Sequence, residues 1–210
     1  MIRLRRPSKA EIDARLSLPD VSFSYPEVGS TATSTTLDAI GPHYDVDRHR
    51  FRLGTGRDLY AVARKSLLAW RQFELPWLEL HGAEAQPSTG QVVATLTPYL
   101  GLWFLNPCQV VYTELADDAV NQTAFAYGTL SGHVAFGEER FAVGFDPPTQ
   151  QVVYEILAFS RPAIVLSKIG YLWIRRIQKR FARSSAEALA RACQLDSVPE
   201  CLEPDPATAA

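Results

Sequence analysis

The stretch FAYGTLSGHVAFGEERF, Phe125 to Phe141, sets a tyrosine, a histidine, two glutamates and an arginine among apolar residues. Those side-chain types suffice for acid–base chemistry without a metal: a carboxyl and a phenol can share a proton, and a histidine titrating near neutrality can carry it. In an extended chain side chains alternate between faces. Phe125, Tyr127 and Thr129 therefore share one face, while Glu138 and Arg140 point opposite to Glu139 and Phe141. At most one of the two adjacent glutamates can join Tyr127 in a common space. The catalytic candidates are Tyr127, His133 and Glu139, and the ligand-binding candidates are Trp103, Tyr127, Arg140 and Trp173. A second reading of the same residues is a plain hairpin. In it Arg140 pairs with a carboxylate across the strands, His133 sits in a solvated turn, and Gly128, Gly132 and Gly137 mark turns or a bulge.

Other chemistry-bearing residues are more dispersed. Cys108 follows Pro107 and has no histidine close in sequence, so it reads as a small buried hydrophobe rather than a nucleophile. His43, His49 and His81 lack metal-ligand spacing, and Cys108, Cys193 and Cys201 form neither a metal motif nor a paired framework. No metal or cofactor is expected. Gly54-Thr55-Gly56 precedes a helix but lacks a dinucleotide or phosphate-loop fingerprint, and reads as a tight turn. Arg175, Arg176, Lys179, Arg180 and Arg183 fall on one face of a late helix. They form either an ordinary solvated face or a weak contact with an anionic surface.

These residues need elements to position them. A strand over 47–53 closes at the Gly-Thr-Gly turn, and a helix follows in which Leu59, Val62, Ala63, Leu67 and Trp70 form one stripe. Pro76 ends that helix, and Trp77–Leu80 reads as a second short one. Strands are then expected over 91–97, 100–105, 109–115, 123–130, 138–145 and 151–160, separated by breaks rich in Gly, Pro, Asp or Asn. Such short connections join antiparallel neighbours. A long helix is expected over 160–193, capped by Ser160 with Pro162 in its first turn, and apolar along Ile169, Trp173, Ile177, Phe181 and Ala188. This is the element order of the helix-grip (START/SRPBCC-like) fold, an α+β architecture. Its curved antiparallel sheet wraps a long C-terminal helix and leaves a cavity between them.

The 210 residues suit one domain over 21–193, with a loose N-terminal arm over 1–20 and a frayed tail over 194–210. Hydrophobic residues make up 47 %, enough for a core, and the net charge of -2 argues against a globally basic nucleic-acid binder. No apolar run is long enough to span a membrane, the N-terminus lacks a secretory pattern, and a cytoplasmic location is the expectation.

The phrases FSYPEVGST, YDVDRHRFRLGTG, AWRQFELPW, FAYGTLSGHVAFGEERF and AFSRPA…RRIQKRFARSSAEAL, spread from about Phe23 to Ala192, resemble uncharacterised protein family 0548. The resemblance implies membership of a group and carries no catalytic residue onto this chain. Three functions remain open at the level of sequence. The first is binding of a small hydrophobic or amphipathic molecule in the cavity. The second is a lyase-, cyclase- or hydrolase-type enzyme in the same cavity. The third is an interaction module using the basic helix face.

Overall fold

Alternating apolar and polar residues between short turns build one nine-stranded antiparallel sheet. The computed structural model describes residues 1–18, 22–33, 40, 43–115, 121–162, 168–195 and 198–202, with the side chains of 162 and 168–175 outside that description. In chain order the elements are β1 (Ile2–Arg3), α1 (Lys9–Leu16), β2 (Asp45–Thr55), α2 (Arg57–Leu68), a 3-10 turn (Arg71–Phe73), β3 (Glu79–His81), β4 (Val92–Tyr99), β5 (Leu102–Glu114), β6 (Gln122–Thr129), β7 (Ala135–Asp146), β8 (Gln151–Pro162), α3 (Lys168–Ala192) and β9 (Glu200–Leu202). Neighbours in the sheet run β3-β4-β5-β6-β7-β8-β2-β9. β6 pairs with β5 only from Cys108 onward, and β1 takes the vacated place beside Trp103 and Phe104.

The concave face packs against α2, the 3-10 turn and α3. Phe51, Tyr60, Leu67, Phe73, Phe125, Phe141, Tyr154 and Leu189 are buried in this main core. Full burial of each such side chain contributes about 1.5–3 kcal/mol. Apart from Leu189, the buried residues described in α3 are Ala182, Ser185, Ala186, Ala188 and Ala190, small enough to let its C-terminal half sit close on the sheet. The Tyr154 and Ser185 hydroxyls meet there at 2.7 Å.

The convex face is covered in part by segments that precede β2. α1, opened by a Ser8–Glu11 capping box, packs Ile12 with Ala94, Leu96 and Leu105. The segment 22–33, with Ile40 and Tyr44, lies over Leu157 and Phe159. The N-terminal residues are therefore docked rather than loose: β1 supplies sheet pairing and α1 an apolar contact. Likewise the stretch after Cys193 is not wholly frayed, because β9 pairs with β2 at Arg50–Arg52; residues 203–210 lie outside the described ones.

Three further expectations give way. Trp77–Leu80 is not a helix; Glu79–His81 pairs with β4 as β3, four residues being too few for a period to decide. The strands expected at 100–105 and 109–115 are one strand, β5, with Pro107 in its interior. In an antiparallel strand a residue's N–H and C=O aim at the same neighbour. Pro107's carbonyl accepts from Leu130 just past the end of β6, so its missing N–H falls where that ladder has finished. Finally, Ser160 and Pro162 do not open the terminal helix. They finish β8 opposite Gly137 and Ala135, and α3 begins at Lys168.

Candidate functional site

Cross-strand register places one polar row on the concave face. Tyr127 of β6 stands opposite Glu139 of β7, Glu139 opposite Ala158 of β8, and Ala158 opposite Asp47 of β2. Ala158 and the nearby Gly137 supply little or no side chain. Between them and the turns of α3 that carry Ile177 and Phe181, a cavity of about 260 Å³ opens. Its walls are chiefly apolar, with Trp77, Leu78, Phe104, Ile156, Ile177 and Phe181 among them. Asp47, His49, Asn106, Tyr127, His133 and Glu139 also line it, with Arg180 at an exposed rim where its guanidinium lies 4.8 Å from the Trp77 ring.

The Tyr127 hydroxyl donates to Glu139 Oε2 at 2.7 Å. Burial pushes the Glu139 carboxyl up to about 7; Asp47 adds to the rise and the Tyr127 hydrogen bond opposes it. The Tyr127 phenol is driven well above its ordinary range by burial and by the neighbouring Glu139, so it stays a donor. His133 behaves differently from a proton shuttle. Burial and the positive N-terminus push its imidazole down to about 3, and its Nδ1 lies within hydrogen-bond distance of both the N–H (2.9 Å) and the carbonyl (3.0 Å) of Ala135. The ring is neutral near pH 7.

Tyr127, Glu139 and His133 are thus brought to one cavity; Arg140 and Trp103 are not. Arg140 alternates to the convex face, buried between Glu114 at 2.9 Å and Glu155 at 3.5 Å. That is the cross-strand pairing of the hairpin reading, extended by Arg48 and Arg50 near Glu155. Trp103 also turns outward, packing beside Ile12 and Leu105 with the Arg6 guanidinium 5.8 Å from its ring. Only Phe104 and Asn106 of that part of β5 look inward. The Trp173 and Arg175 side chains lie outside the described residues. Arg176, Lys179 and Arg183 are exposed on α3, and Arg183 faces Glu187 at 3.8 Å. The Cys108 thiol is buried in the core and burial raises its pKa, which suits a small hydrophobe. Gly56 opens α2 while its N–H bonds Gln150, so the Gly-Thr-Gly segment serves as a turn.

Sequence reading missed Asp47, His49, Asn106 and Trp77 as cavity residues. The signal for the first two was their even spacing from Phe51, four and two residues, which puts all three on one face of β2. It also missed what Glu138 does. This carboxylate is 2 % exposed and accepts from the Tyr25 hydroxyl at 2.8 Å, Gly29 N–H at 2.7 Å, Thr31 N–H at 3.0 Å and the Thr31 hydroxyl. The phrase FSYPEVGST is the clamp that closes on it. Gly128 makes room, since a Cβ there would stand 2.0 Å from the Tyr25 hydroxyl oxygen. Among the described residues no three of His, Cys, Asp and Glu converge to hold a metal ion, and no helix is long and apolar enough to cross a membrane.

A curved antiparallel sheet closed on its concave side by a long C-terminal helix, with a hollow between them, defines a helix-grip protein of the α+β class. Within that class the chain belongs to the family described as domain of unknown function DUF1990, whose model matches residues 24–188. It is 29 % identical over 206 residues to a UPF0548 protein of Dictyostelium discoideum, covering 91 % of this chain and 95 % of that one. It is 35 % identical over 178 residues to a UPF0548 protein of Arabidopsis thaliana, covering 80 % and 86 %. Among solved structures, an aromatase/cyclase from a Streptomyces species superposes with a TM-score of 0.49 at 14 % identity, over 72 % of this chain and 94 % of that one. Likeness at that level carries nothing about chemistry.

Proposed function

We propose that the protein binds a small hydrophobic or amphipathic molecule in the cavity between sheet and α3. The observation that carries this reading is the hollow itself: small residues at Gly137 and Ala158 sit beneath apolar walls, with a polar row on one side. A core selected only for stability packs such space solid, because voids forfeit contacts. Pockets of mixed apolar wall and few polar groups are the usual form of a small-molecule site. The test is native mass spectrometry of the protein isolated from its own host, beside an Ala158→Leu variant that fills the hollow. Co-purified mass on the parent and none on the folded variant supports the reading. A parent that carries no small molecule, and gains none from a host extract, overturns it.

A second reading is supported by one specific observation, the Glu139 carboxyl held at about 7 with Tyr127 donating to it. A carboxyl poised there can give or take a proton at physiological pH. The cavity would then host a lyase-, cyclase- or hydrolase-type reaction. Glu139 would act as the acid or base, Tyr127 would tune it, and His133 would line the cavity as a neutral ring. Glu139→Gln is expected to abolish turnover while leaving the fold intact; full turnover in that variant rules the enzyme reading out.

A further inference from the structure

The cavity holds a polar side chain, Asn106, that the Tyr127–Glu139 pair does not explain. Asn106 lies on β5, 9 % exposed, with its carboxamide in the cavity wall. Its Oδ1 is buried without a hydrogen-bond partner, and no described residue bonds the other end of the amide. Burying a carboxamide unbonded is unfavourable, and an apolar residue of the same shape would be more stable there. Thr95 and Thr97 line the same wall.

We infer that Asn106 is the specificity group of the cavity, its amide NH2 donating to the hydroxyl oxygen of an uncharged, largely apolar molecule. This rests on the binding reading above and adds the class of ligand. The end of the amide not sealed in the wall is its NH2, a donor, and a hydroxyl oxygen accepts from it. A carboxylate is disfavoured: Asp47 and Glu139 line the same cavity, and the only Arg or Lys among the described cavity residues, Arg180, stands at the rim against Trp77. An unpartnered amide alone does not make a site. Gln72 shows this, since both its amide atoms are buried and unpartnered, yet it lines no part of the cavity. What separates Asn106 is the hollow in front of it.

The experiment uses the full chain and two probes of matched size, 2-naphthol and 2-methylnaphthalene, titrated by quenching of tryptophan fluorescence. Wild type is expected to bind 2-naphthol about tenfold more tightly, the ratio of one well-made buried hydrogen bond. Asn106→Leu is expected to bring that ratio to one, keep 2-methylnaphthalene affinity, and raise the melting temperature by about 2–4 °C. Asn106→Ala, which cannot overpack, is expected to erase the ratio as well. Gln72→Leu is the control, raising the melting temperature while leaving the ratio intact. Equal binding of both probes by wild type, a ratio that survives Asn106→Ala, or a lower melting temperature in Asn106→Leu would overturn the inference and leave the cavity reading standing. Failure of wild type to bind either probe takes both away.

Discussion

Glu138 faces the convex side of β7, under the N-terminal clamp, while Glu139 faces the concave side, at the cavity. The first is fully satisfied: two backbone amides and two hydroxyls surround its carboxylate. The second has one protein donor, an apolar setting and a raised pKa. Two identical side chains on neighbouring residues therefore have different tasks. One holds the sheet and its cover together, and the other faces a space built to be filled. What separates them is strand alternation, which turns a step of one residue into a change of face.

The largest effect should come from breaking the satisfied side. Glu138→Ala leaves buried donors without an acceptor and is expected to cost about 3–5 kcal/mol in urea unfolding. Glu139→Ala should cost far less; equal losses would erase the contrast. Next comes Gly128→Ala, which drives a methyl into the Tyr25 ring and hydroxyl and should cost about 1–3 kcal/mol, with the loss largely absent when Tyr25→Ala is already present, whereas Tyr25→Phe keeps the ring carbons at 2.8 and 2.9 Å.

The pH dependence sharpens the other side. The Glu139 carboxyl rises from an ordinary 4.5 to about 7 in the fold, so the folded state holds its proton more tightly. Its contribution is favourable at acid pH and is lost as pH climbs from about 4.5 through 7. The His133 imidazole falls from 6.5 to about 3, so the unfolded chain takes the proton first. Its contribution is present above 6.5 and lost as pH drops toward 3. The two slopes oppose each other over the shared window. Glu139→Gln should therefore unmask a steeper acid loss and His133→Gln a steeper loss toward neutrality, both read as urea midpoints against pH. Parallel curves for all three proteins would show that neither group titrates as described. The smallest effect belongs to Tyr127→Phe, about 0.5–1.5 kcal/mol, with the Glu139 pKa moving further up by carboxyl infrared or NMR titration.

Much of this was legible before any coordinates. Turn residues bounded most strands, and alternation correctly split Glu138 from Glu139. Element order gave the sheet around a terminal helix. What failed did so for local reasons. Pro107 looked like a break because the end of a neighbouring ladder is invisible in sequence. Trp103 was read on the wrong face because its strand was read as two pieces, and the face is set by the whole strand's position against α1 and the cavity. Arg140 was assigned a ligand although the carboxylates that claim it, Glu114 and Glu155, come from other strands. Asn106 gave no signal at all, since an asparagine before a proline reads as a turn.

The clamp on Glu138 also sets an order of events during synthesis. Tyr25 and Thr31 find their acceptor 113 and 107 positions further along the chain. At ribosomal speeds that is roughly 5–20 s in which the earliest-made segment has nowhere to dock. Its aromatic residues Phe23 and Tyr25 must wait uncovered until β7 emerges, so this short interval is when the newborn chain most needs a chaperone.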